Sequence, residues 1–278
     1  MTLSSKPGPI GVFDSGYGGL TILHELRKAL SEYDYLYLGD NARAPYGARS
    51  YDVVYQFTRQ AVNKLFNLGC HLVILACNTA SAKALRTIQQ RDLPTWDAQR
   101  RVLGVIRPTA EIVGSLTKTR HVGVLATEGT IRSKSYNLEI AKLHPDITIV
   151  GQECPLWAAI VEAGEADSAG ADFFVRQRIG TLLEKDPKID TVLLGCTHYP
   201  LLMHTIRKHI PPHIKIVEQG KYVSESLKSY LARHPEIEEK TTKNGSVSCL
   251  TTENEEKFIE KTRIFLKEDL QVAHIDLE

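Results

Sequence analysis

Two short apolar runs, each ending at a cysteine, constrain this chain more than any other feature. They are Leu72-Val-Ile-Leu-Ala-Cys77-Asn-Thr79 and Thr191-Val-Leu-Leu-Gly-Cys196-Thr-His198. Apolar, partly β-branched runs of this length read as strands buried on both faces, the habit of a parallel sheet. Each cysteine is followed by a small polar residue and then by a helix-compatible stretch. A thiol in that position lies among free backbone N–H groups at the positive end of a helix dipole. Both features favour thiolate over thiol. Two such positions in one chain point to two thiols facing one substrate.

The rest of the chain alternates in the same way. Residues 9–13 read as a first strand, 14–19 as a turn and 20–30 as an amphipathic helix. Residues 33–38 read as a second strand, 39–47 as a Pro- and Gly-punctuated loop, and Ser50 as the cap of a helix to 67. Strands alternating with helices predict an α/β protein with parallel sheets. Ile10-Gly-Val-Phe-Asp-Ser-Gly16 is echoed by Val122-Gly-Val-Leu-Ala-Thr-Glu-Gly129, in step with the two cysteine strands. The echo predicts two similar parallel-sheet α/β domains related by pseudo-symmetry. Breaks at Pro94 and Pro211-Pro212 place residues 1–100 with 214–278 in the first domain and 101–213 in the second. Ligands of such sheets bind beyond the carboxyl ends of the strands, where both cysteines and the Asp14-Ser15 turn fall.

Charge excludes some partners. The 34 basic and 33 acidic residues give a net charge of +1, so there is no general case for nucleic acid or an acidic membrane. No stretch is long enough to span a bilayer, and residues 1–8 contain no apolar leader core. The five cysteines are odd in number and none is in C-x-x-C spacing. Together these lead us to expect a cytoplasmic protein with reduced thiols.

Cys70, Cys154 and Cys249 are expected to pack as small hydrophobes, whereas Cys77 and Cys196 are the candidates for chemistry. A Cys-x5-Arg phosphatase loop does not fit, because Lys83 and Leu202 occupy the arginine positions. Zinc spacing is approached only by Cys196-x-His198, so no metal is expected. A single-cysteine hydrolase with a remote histidine stays open, although it leaves the second matching cysteine without a role. Asp14 is either a helix cap or a carboxylate that orients a substrate ammonium or assists a thiol. Gly16, Gly18 and Gly19 lack both the dinucleotide and the P-loop spacing. His198 is placed to be a proton partner of Cys196. Glu162 reads equally well as an exposed helix residue or a buried acid.

At these residues the chain resembles the bacterial glutamate racemases. The resemblance lies in Phe13-Asp-Ser-Gly-x-Gly-Gly-Leu, Gly39-Asp-x-Ala-Arg-Ala-Pro-Tyr-Gly, Ala76-Cys-Asn-Thr-Ala, Gly129-Thr-Ile and Gly195-Cys-Thr-His-Tyr-Pro-Leu. It covers most of the chain and is weakest after Gly220. It implies two α/β domains with the active site in the cleft between them, no cofactor, glutamate as small-molecule substrate and a role in supplying D-glutamate for peptidoglycan. It also implies that Cys77 and Cys196 act as acid and base on opposite faces of Cα. Asp14 is similar to the acid assisting the first thiol, and His198 and, by position, Glu162 to the residues assisting the second. Asp14, Ser15, Pro45, Tyr46, Gly47, Asn78, Thr79, Thr197 and His198 match substrate-contacting positions. The chain departs from the family at Asn41, where Thr is usual, at Arg107, where Glu is common, and in Trp157-Ala-Ala-Ile-Val-Glu162, which lacks a usual proline. A racemase for aspartate or a related acidic amino acid, and a non-catalytic amino-acid-binding protein, are the remaining alternatives. Oligomeric state is left open, a homodimer among the options.

Overall fold

The computed structural model describes residues 6–277, and within them ten strands form two sheets in which every pairing is parallel. One sheet contains β1 (Ile10–Asp14), β2 (Tyr35–Gly39), β3 (Leu72–Leu75), β4 (Arg101–Gly104), β9 (Val247–Thr251) and β10 (Val272–His274). The other contains β5 (His121–Ala126), β6 (Thr148–Glu153), β7 (Thr191–Gly195) and β8 (Lys215–Val217). The order β2-β1-β3-β4 in the first recurs as β6-β5-β7-β8 in the second, and β9 and β10 extend the first beyond β2. The repeated order gives the sequence echo its physical form. β1, β3 and β7 are buried at every residue, as their unbroken apolar runs require.

Helices cover both faces of each sheet. Leu20, Leu23 and Leu26 of the Leu20–Ala29 helix pack with Val223, Leu227 and Leu231 of the Gly220–Arg233 helix on one face of the first sheet. Val54, Ala61 and Leu65 of the Tyr51–Asn67 helix cover the other. The Ala169–Lys185 and Met203–His209 helices back one face of the second sheet, and the Ile106–Leu116 and Ser135–Leu143 helices the other.

The strands at the two expected domain boundaries lie in the opposite sheets from those assigned by sequence. β4, expected in the second half, pairs with β3 from Leu72↔Arg101 to Leu75↔Gly104. β8, expected in the first, pairs with β7 from Thr191↔Lys215 to Leu193↔Val217. Proline explains the first error. Pro94 lies in the first turn of the Leu93–Trp96 helix, where its missing N–H costs nothing, so the chain runs on past it. Pro211 and Pro212 do end a helix, but that helix is the crossover that returns the chain to the same sheet.

Candidate active site

The strand order places β1 beside β3 and β5 beside β7, and ligands gather beyond the carboxyl ends of such neighbouring strands. One cavity of about 490 Å³ opens there. It is lined by Asp14, Ser15, Pro45, Tyr46, Gly47, Cys77, Asn78, Thr79, Glu162, Cys196, Thr197 and His198, the residues that the resemblance matched to catalytic and substrate-contacting positions. Cys70, Cys154 and Cys249 are buried elsewhere as free thiols.

Cys77 caps the short Asn78–Lys83 helix. Its Sγ accepts from the Ala80 N–H at 3.4 Å and lies 3.3 Å from Ser15 Oγ. The sequence suggested a thiolate here, and the structure corrects that. Burial, followed by the charge of Asp14, pushes the Cys77 thiol up to about 12, and the hydrogen bonds from Ser15 and Ala80 do not offset them. The resting Cys77 is a thiol. Asp14, at the end of β1, is 1% exposed. Its Oδ2 accepts from the Gly16 N–H at 2.9 Å, while Oδ1 is buried with no hydrogen-bond partner among the described residues. Burial raises the Asp14 pKa, opposed by the charge of His198 and by the Gly19 and Gly16 amides.

The second thiol stands at the end of a row of contacts. Cys196 Sγ lies 3.7 Å from His198 Nδ1, and His198 Nε2 lies 2.7 Å from Glu162 Oε1. Burial alone would lower the His198 pKa, but its hydrogen bonds to Cys196 and Glu162 outweigh burial and push it up to about 10. The ring is therefore an imidazolium at neutral pH. Glu162 ends the Trp157–Glu162 helix, which is fastened by Trp157 packed edge-on to Tyr199 at 4.9 Å. The sequence left Glu162 undecided; in the structure its carboxylate meets the His198 ring.

The glycines of the first turn are explained by close approach. A Cβ on Gly19 would lie 2.5 Å from Asp14 Cβ, and one on Gly18 would lie 2.4 Å from both His198 Nδ1 and Thr197 Oγ1. Pro45, Tyr46 and Gly47 approach the cavity on a loop held by Asp40, which accepts from Arg43, Tyr46 and Thr252. The Tyr46 hydroxyl is thereby occupied. Gly47 O accepts from the Gly129 N–H at 2.8 Å, joining the loop to the other half.

Asn78 lines the cavity, yet its amide is engaged at both ends. Its Nδ2 donates to Gln219 Oε1 at 2.6 Å, and its Oδ1 accepts from the Tyr136 hydroxyl at 2.9 Å. Gln219 Nε2 in turn donates to Val105 O at 3.1 Å, Thr109 Oγ1 at 3.2 Å and Tyr136 Oη at 2.8 Å. This buried network ties the helix that follows Cys77 to elements of both halves. Replacing Gln219 by Leu strands the Asn78 N–H donors, so urea unfolding should show a loss of about 2–3 kcal/mol. An unchanged unfolding midpoint would remove the network from the stability of the fold.

Several cavity residues were not singled out in the sequence. Thr127 Oγ1 lies 2.9 Å from Thr79 Oγ1 and 3.0 Å from Thr130 Oγ1, a row of hydroxyls. The signal for Thr127 was present, since it occupies in the second echo the place of Ser15 in the first. Lys257 and Lys261 enter from the Glu255–Leu266 helix, far along the chain, and no local pattern announces them. Arg107 lies outside this cavity and pairs with Glu111 at 2.9 Å and Glu139 at 3.2 Å, bridging two helices of one half.

Comparison with known proteins agrees with this arrangement. The Asp/Glu/Hydantoin racemase family profile matches residues 10–220. A glutamate racemase of Ruegeria sp. (strain TM1040) is 36% identical over 272 residues, covering 94% of this chain and 97% of that one. The crystal structure of the glutamate racemase isoform RacE1 from Bacillus anthracis superposes with a TM-score of 0.87 at 33% identity, covering 97% and 98% of the two chains. That of the glutamate racemase from Francisella tularensis in complex with D-glutamate gives 0.86 at 32% identity, covering 98% of each. The chain belongs to the Asp/Glu/Hydantoin racemase family and, within it, to the glutamate racemases.

Proposed function

We propose that this protein interconverts L- and D-glutamate without a cofactor, by two thiols working from opposite sides of Cα, and that its D-glutamate serves peptidoglycan synthesis in the cytoplasm. The observation that carries the reading is a single cavity lined by two cysteines with different proton partners, Ser15 and Asp14 for Cys77 and His198 with Glu162 for Cys196. Inversion removes a weakly acidic proton from one face and delivers another to the opposite face. One base would have to cross the substrate, whereas two need not.

The two thiols must begin in opposite protonation states. Cys77 starts as the thiol. Its counterpart is Cys196, whose Sγ lies 3.7 Å from the Nδ1 of the His198 ring. Cys196 takes the α-proton of one enantiomer, and Cys77 delivers its proton to the other face. For the return direction Cys77 must lose its proton first. Asp14, whose raised pKa suits it to hold a proton, is the acceptor. The unpartnered Asp14 Oδ1 is the place for the substrate ammonium. Backbone N–H groups beyond β3 and β7, with Thr79 and Thr197, hold the α-carboxylate as charge builds at Cα. Asn78 contributes through its backbone and the anchoring of its amide. The hydroxyl of Thr127, on the cavity wall beside Gly47, suits the second carboxylate.

The test is circular dichroism of the pure protein with L-glutamate and with L-aspartate, no cofactor added. The glutamate signal should decay to zero, with aspartate slower by about 10–200-fold, the discrimination one methylene provides. In D₂O the product enantiomer should carry deuterium at Cα, because thiol protons exchange with water. Loss of the aspartate signal alone would move the substrate to aspartate. No decay with either would end the racemase reading.

A further inference from the structure

The Glu255–Leu266 helix lies where the resemblance to the racemases is weakest, yet it packs directly on the Cys196 side of the cavity. Phe258, Lys261 and Phe265 share one face of it, at i, i+3 and i+7. Phe258 packs against Tyr17 and Tyr37, with ring centroids 5.5 and 5.9 Å away. Phe265 meets the His198 ring edge-on at 5.7 Å. Between them, Lys261 Nζ donates to the backbone carbonyl of Glu162 at 2.7 Å.

That carbonyl is not an arbitrary acceptor. Glu162 is the last residue of its helix, where carbonyls lack intrahelical donors. The carbonyls of Ala159, Ile160 and Val161 are taken by the N–H groups of Ala163, Glu165 and Gly164. At Glu162 the donor is the Lys261 ammonium, and a cation is the favoured partner at a helix C-terminus. The bond joins a helix at the end of the chain to the residue whose carboxylate holds His198. The groups acting on Cys77, namely Asp14, Ser15 and Ala80, lie on elements other than this helix.

We propose that Lys261 is a positioning residue for one half of the reaction: by fixing the Glu162 carbonyl it sets the Glu162–His198–Cys196 relay and leaves the Cys77 side untouched. This rests on the two-thiol reading, and the test separates the two. The probe is elimination of hydrogen halide from each enantiomer of a β-halogenated glutamate. A thiolate takes the α-proton, the carbon–halogen bond breaks and halide leaves; the resulting enamine tautomerises to an imine, which water hydrolyses to the 2-oxo acid and ammonia.

Cys77→Ser and Cys196→Ser first establish which enantiomer each thiol deprotonates. If both variants favour the same enantiomer, the two-thiol reading fails and this inference with it. If they divide the enantiomers, Lys261→Met should slow elimination of the Cys196-dependent enantiomer by about 10- to 100-fold, the scale of a small misplacement of a reacting group. The Cys77-dependent enantiomer should change by less than about twofold. Lys261→Arg, which restores a cation and donor, should recover most of the loss. Equal slowing of both enantiomers, slowing of neither, or failure of Lys261→Arg to rescue would overturn the assignment. Lys261→Leu, checked for native circular dichroism, gives the same reading should Lys261→Met fold poorly.

Discussion

Cys77→Ser and Cys196→Ser are each expected to abolish racemisation of glutamate, by more than about 1,000-fold, the scale of losing a member of a set that acts as one unit. Each variant should nevertheless keep half of the chemistry. Halide elimination needs only deprotonation, so one surviving thiol suffices. Cys77→Ser retains the Cys196–His198–Glu162 relay and should process the enantiomer whose α-proton faces Cys196. Cys196→Ser retains Cys77 with Ser15 and Asp14 and should process the other. Their pH dependences should differ in a defined direction. The Cys77 thiol is pushed up to about 12, and only its ionised fraction accepts a proton, so elimination by Cys196→Ser should rise with pH across the neutral and mildly alkaline range. A hydrolase with one nucleophile predicts instead that one cysteine is needed for everything and the other for nothing. Chiral chromatography of the unreacted analogue decides between them, and the same enantiomer left over by both variants would refute the mechanism.

What could be read from sequence was whatever is local. Cys77, Cys196 and the Asp14-Ser15 turn were legible because a buried parallel strand announces itself as an unbroken apolar run, and its carboxyl end is where such sheets bind ligands. Pseudo-symmetry was legible in the echo of Ile10–Gly16 at Val122–Gly129, though its limits were not. Pro94 reads locally as a boundary, yet in the fold it begins a short helix. The protonation of Cys77 was misjudged for a different reason. Helix position is visible in a sequence, but desolvation depends on everything packed around the sulfur, and here it wins. Gln219, Tyr136, Lys261 and Phe265 were invisible because each acts across the fold on a partner distant in sequence, Gln219 reaching Asn78 and Lys261 reaching Glu162. Gly18 lies between these cases: the glycine-rich turn is visible in the sequence, but the close approach of His198 and Thr197 that requires it is not.

That reason makes Gly18→Ala the most informative small change in the site. Gly18 has no left-handed backbone requirement, so alanine introduces no backbone strain, and its effect is steric alone. The added methyl would lie 2.4 Å from His198 Nδ1, 2.4 Å from Thr197 Oγ1 and 2.5 Å from His198 Cε1, all well inside contact distance. Relief by movement of the ring is restricted, because Nε2 is held by Glu162 at 2.7 Å and Phe265 abuts the ring. Thr197 cannot withdraw freely either, since its carbonyl accepts from Thr21 Oγ1 at 3.0 Å. The ring must therefore shift away from Cys196 or break from Glu162, and either removes the proton partner from the second thiol. We expect kcat for glutamate racemisation to fall by about 100- to 1,000-fold, in keeping with the cost of displacing a reacting group by about 1 Å. Elimination from the enantiomer served by Cys77 should fall far less, since the atoms nearest the added methyl belong to His198 and Thr197. Steady-state kinetics on both substrates, with thermal unfolding to confirm the fold, reads this out. Equal loss on both enantiomers would show that the turn supports the whole cavity rather than the His198 side of it.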